Sequence, residues 1–166
     1  MKKSELLMNL LIQDKLIRFN LDLLEGLLRE LRSDIEESKI LVEACLEGQD
    51  RQSILKSLAD FEEEFTNLIS EALDQIYDLY EVFNFDITFL STIPEELERE
   101  IERLDTVSSI NRSLEILKRQ LENLLSKSEW DEGTKAIFTP LRVYKEVLEH
   151  AISFNQKLGD SLYYTL

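Results

Sequence analysis

This sequence predicts an all-α fold, an elongated antiparallel up-down four-helix bundle with long, coiled-coil-like helices, on three observations. Apolar residues recur at helical spacing over long unbroken runs. Only four glycines and two prolines punctuate 166 residues, too few to turn many short strands. The turn signals that do occur are brief, so successive helices must run back along one another. The length suits one domain, 1–166, able to bury a core without disulfides or metals.

The first helix is expected over about 4–47. Leu7, Leu21, Leu28, Ile35 and Val42 follow a seven-residue repeat interrupted at Asp14, and Leu10, Ile17, Leu24, Leu31 and Cys45 one interrupted at Ser38, so Cys45 reads as a small buried hydrophobe. Gly26 is a place where this helix could bend. Gly48 ends it, and Asp50 is the expected N-cap of the next. The second helix, about 51–91, buries Ile54, Leu58, Phe61, Phe65, Leu68, Ala72, Ile76, Leu79, Phe83 and Leu90. Thr92 with Glu95 forms a capping box around Pro94 and opens a third helix over 93–128. "SKSEWDEGT" reads as the one evident loop, with Trp130 expected to cap the end of the core. A fourth helix runs from about 139 to 158, starting at Thr139-Pro140 after a short turn through Ile137 and Phe138.

The net charge is −15, which opposes direct binding of nucleic acid or of an anionic membrane surface. Its distribution is more informative. The 42 residues between Lys56 and Arg99 hold 12 acids and no Lys, Arg or His, whereas the remainder holds 22 acids against 19 bases. No stretch has the roughly 18 apolar residues of a membrane span. One cysteine excludes an internal disulfide, and a cytoplasmic location is expected.

No catalytic, cofactor-binding or metal-binding residue is assigned, and no cofactor is expected. Glu71 and Asp74 have the E-x-x-D spacing with which all-α pyrophosphohydrolases hold magnesium. Such a site needs a second acidic pair facing it, and helical phase turns these two outward. His150 is the only histidine, and Val147 stands where the di-iron bundle motif needs a glutamate. No phosphate-binding glycine loop or nucleophile elbow is present. "NRS" at Asn111 matches a glycosylation triplet but lies inside a predicted helix.

Two surfaces are left. Ile12, Leu16, Phe19 and Leu23 form a second apolar stripe on the first helix, nearly opposite Leu10, Ile17 and Leu24. A helix apolar on two sides needs cover on both, from the tail near Leu162 and Tyr163 or from a second copy. A homodimer through this stripe is the expectation. On the second helix, Asp60, Glu64, Glu71, Asp74, Asp78 and Glu81 fall in one outward sector at 100° per residue, and Val82, Phe85 and Phe89 continue it if the helix stays in phase, whereas a bend at Asn84 or Asp86 turns these rings into the core. Like charges at this spacing repel by a few tenths of a kcal/mol per pair. The expected function is therefore a non-enzymatic interaction module, such as an adaptor, assembly factor, chaperone or inhibitor, docking on a basic protein. A nucleic-acid mimic is the second reading, and a metal-dependent nucleotide hydrolase using Glu71 and Asp74 the third.

Overall fold

The computed structural model describes residues 3–83, 106–126 and 131–161, with side-chain surroundings over 8–78, 108–126 and 131–161. Among the described residues every regular element is a helix: α1 (Lys3–Cys45), α2 (Gly48–Phe83), α3 (Thr106–Leu125), α4 (Glu132–Ile137) and α5 (Thr139–Gly159). The chain is all-α. None of these helices is long and apolar enough to cross a membrane.

The 43 residues of α1 run without interruption past Gly26, a length of about 65 Å at 1.5 Å per residue. It stops where Gly48 takes φ +62°, a left-handed conformation that glycine reaches without strain. The second helix starts at Gly48, three residues earlier than expected, so Asp50 is not its N-cap. It sits in the first turn, where its charge still complements the helix dipole. The expected stretches 84–91 and 93–105, with the Thr92–Glu95 capping box and Leu90, lie outside the described residues.

The loop expected from "SKSEWDEGT" is shorter than its composition suggests. Asp131 is extended (φ −76°, ψ 175°) and its carboxylate accepts from the Thr134 backbone N–H at 2.7 Å, which starts α4. That bond, and the Gly133 N–H, hold the Asp131 carboxyl below its ordinary pKa. Phe138 links α4 to α5 and is buried, and Pro140 occupies the first turn of α5, where no helical N–H is lost. Trp130 lies outside the described residues.

Interhelical bonds give the directions. As the α1 partner moves from Glu25 to Lys39, the α2 partner moves back from Tyr77 to Glu62. As it moves from Asn20 to Asp34, the α5 partner moves back from Asn155 to Tyr144. Between α3 and α5 the pairs are Asn111–Asn155, Lys118–Glu149 and Glu122–Lys145. Each of these three pairings is antiparallel. Close packing also joins α2 to α3, and α4 lies against both α1 and α5.

The core takes Leu24, Leu31, Ile35 and Val42 of α1 and Leu58, Phe65 and Ile76 of α2 from the predicted rows, together with Leu114, Leu117 and Leu121 of α3 and Leu141 and Leu148 of α5. Four positions depart from expectation: Leu21 and Leu28 of the first row are only partly buried, with Leu27 buried beside Leu28; Leu68 and Cys45 are the others. Leu68 is only partly buried, and its neighbour Ile69, at 1 % exposure, takes the core place. Cys45 is exposed. Tyr144 meets Asp34, so the first residue of α5 stands about level with Lys39. The last turn and a half of α1 extends past the start of α5.

Candidate interaction surface

The site is the outward face of α2. Leu58, Phe61, Phe65, Ala72, Leu73 and Ile76 fix one side of that helix in the core, which turns the opposite side to solvent. Asp60, Glu64, Glu71, Asp74 and Asp78 are all exposed there. Among the described residues none of the five forms an ion pair. Glu62, on the same helix but nearer the α1 seam, behaves differently. It accepts from Lys39 Nζ at 2.8 Å and lies 3.9 Å from Arg32. Burial works against the Lys39 ammonium, but its hydrogen bonds to Glu62 and Glu36 outweigh this and raise its pKa.

Glu81 and Val82 belong to the last turn of α2, but their side chains lie outside the described residues, as do Phe85 and Phe89 altogether. The structure supplies a different aromatic group. Tyr77, 43 % exposed, stands between Asp74 and Asp78, and its hydroxyl donates to Glu25 of α1. The bond to Glu25, then desolvation, then the Glu25 and Asp74 charges raise its pKa. Sequence reading missed Tyr77 because it looked for apolar groups only beyond Glu81, at Val82, Phe85 and Phe89; its place between Asp74 and Asp78 was the available signal. Glu71 and Asp74 point outward, and among the described residues no group of three or more His, Cys, Asp or Glu is placed to hold a metal ion.

The expected self-association stripe is covered from within the chain. Ile12 and Leu16 are 8 % and 0 % exposed and pack with Leu158 of α5. Phe19 stacks on Phe154 with ring centroids 4.4 Å apart, and Leu23 is half-buried against the main core. The C-terminal turns of α5 thus cover what a second copy was expected to cover. The physical reason is the antiparallel course of α5, which brings 154–158 alongside 12–19.

Beside this contact lies a polar cluster that periodicity concealed. Asn20 and Asn155 are fully buried and Asn111 nearly so. Asn20 Nδ2 donates to Asn155 Oδ1 at 2.8 Å and to the Leu16 carbonyl at 2.7 Å. Asn155 Nδ2 donates to Asn20 Oδ1 and to Asn111 Oδ1, each at 2.9 Å. Asn111 Nδ2 donates to the Ile152 carbonyl at 3.3 Å. The side chain that matched a glycosylation triplet is a core bond between helices.

No protein-family model matches the chain, and no solved structure matches it. An uncharacterized protein of Aquifex aeolicus (strain VF5) is 46 % identical over 160 residues, covering 96 % of each chain. Likeness of that extent spans every helix described above, and the chain belongs to the same family as the Aquifex aeolicus protein.

Proposed function

We propose that this protein is a non-enzymatic interaction module, a four-helix antiparallel up-down bundle whose α2 face docks on a basic surface of a partner protein in the cytoplasm. One observation carries the reading: Asp60, Glu64, Glu71, Asp74 and Asp78 are exposed together with no ion pair among the described residues, while Glu62 on the same helix is paired. A face kept merely soluble is served better by mixed i,i+4 pairs, such as Arg18 with Asp14 at 3.0 Å on α1. Tyr77 adds an exposed aromatic group of the kind that anchors interfaces and accepts cations on its ring.

Nucleic-acid mimicry is less well supported. From Asp60 to Asp78 the stripe spans about 27 Å, or one charge per ~5 Å, against ~1.7 Å of axis per charge in duplex DNA. A nucleotide hydrolase would need Glu71 and Asp74 to face further acids across the bundle, and both are exposed instead.

The test is a capture experiment with the wild-type chain and a Glu71→Lys/Asp74→Lys/Asp78→Lys variant at low and high salt. The reading expects a basic protein held by the wild type at low salt and released by either salt or charge reversal. Equal recovery by both chains would refute it.

A further inference from the structure

We propose that the Asn20–Asn155–Asn111 triad is a register lock that fixes where α5 sits along α1 and α3. The need for one is visible in the repeats. On α5, Leu141, Leu148 and Asn155 lie seven residues apart, and the first two are fully buried core positions. On α1, the covering stripe Ile12, Leu16, Phe19, Leu23 and Leu27 is apolar throughout, and on α3 Ile110, Leu117 and Leu124 repeat at the same interval. Apolar rows of this period bury similar area after a slide of one heptad, about 10 Å. Hydrophobic burial is non-directional and discriminates poorly between such registers.

The triad does discriminate. Both Nδ2 protons of Asn155 are used, one on Asn20 and one on Asn111, and its Oδ1 accepts from Asn20. A heptad slide would break all three bonds and set Leu148 against Asn20 and Asn111, leaving Asn20 with only its Leu16 carbonyl and the buried Oδ1 atoms of Asn20 and Asn111 without donors. Across the α1–α5 seam the Tyr144–Asp34 bond selects the same register, but the ion pairs across the α3–α5 seam are weaker judges. Lys118–Glu149 and Lys145–Glu122, at 3.3 and 3.8 Å, are partly exposed ion pairs, which contribute little. A buried amide in a core layer is the device by which helical assemblies select one alignment from several apolar ones.

The test reads register as a distance. Cys45 is exposed at the far end of α1, and Ser153 is exposed on α5 near the triad. Spin labels on Cys45 and on Ser153→Cys report any axial slide of α5 almost in full. The wild-type background should give one narrow distance. Replacing the whole triad (Asn20→Leu/Asn111→Leu/Asn155→Leu) should keep the chain helical but broaden or split that distance by about 10 Å. A second variant asks the question without removing the amides. In Leu148→Asn/Asn155→Leu the asparagine moves one heptad along α5, and the label distance should lengthen by about 10 Å as Asn20 and Asn111 recruit the relocated amide. A single unchanged distance in the triple variant, or an unchanged distance in the relocated one, would overturn the proposal.

Discussion

Leu16→Ala distinguishes cover by α5 from cover by a second copy. Leu16 is fully buried with Ile12 and Leu158, and its carbonyl accepts the Asn20 amide, so the surrounding backbone is poorly placed to collapse into a vacancy. Removing three carbons forfeits about 2.4 kcal/mol of transfer free energy at ~0.8 per methylene, and the residual cavity adds about 1 more. A loss near 3.5 kcal/mol should lower Tm by about 10 °C in a chain of this size. Chemical denaturation followed by circular dichroism measures it. Because α5 of the same chain supplies the cover, the midpoint of wild type and variant should not move with protein concentration. An obligate dimer would show that dependence. Met8→Ala, at a position 46 % exposed, is the control and should change stability by less than about 0.5 kcal/mol. A small loss in Leu16→Ala, or midpoints that climb with concentration, would refute cover by α5.

Gly26 lies inside α1, and a Cβ built on it meets nothing within 4 Å. Gly26→Ala should therefore stabilise the chain by about 0.5–1 kcal/mol, read as a Tm rise of a few degrees; a fall would mean that α1 bends at this glycine. Tyr144 gives a pH prediction. Burial first, and then the bond to Asp34, raise its pKa above the ordinary value of 10.0. The folded state thus holds the phenolic proton more tightly than the unfolded chain. That contribution is fully present below pH 10 and is lost as pH rises toward the raised folded value. Tyr144→Phe should cost about 1–2 kcal/mol at neutral pH and lessen the fall of Tm above pH 10. Equal alkaline slopes for the two chains would contradict this.

The helices were legible because their signal is local. A row such as Leu10, Ile17, Leu24 and Leu31 records one buried face, and helical phase alone turned Asp60 through Asp78 outward. What failed depended on neighbours. Cys45 continues its row in sequence, yet α5 starts short of it, and no periodicity within α1 reports where another helix begins. The choice between Leu68 and Ile69 turns on which side of α2 the other helices occupy. The second stripe on α1 announced that it needed cover, but its occupant, 154–158, is set by antiparallel register. The triad was hidden for a different reason. An asparagine in a heptad row reads as an interruption until its partner is known, and Asn20 and Asn155 are partners across 135 residues of sequence.

The same distinction bears on the acidic face. Along the α1–α2 seam the treatment of carboxylates changes with height. At Glu62 the opposing residues of α1 are Lys39 and Arg32, and the charge is neutralised across the seam. At Tyr77 the opposing residue is Glu25, so α1 contributes a further acid beside Asp74 and Asp78. The chain satisfies Glu25 there with a phenol, a neutral donor, where a lysine at 77 would have supplied the same bond and cancelled a charge. Two acids facing each other across a seam are stabilised by any donor between them, but only a neutral donor leaves the field intact. At this height α1 and α2 both present carboxylates, with the tyrosine ring exposed among them. Under the proposed function this arrangement has a use: an approaching cationic surface would meet carboxylates held apart by the helix spacing and a ring on which a guanidinium or ammonium can rest.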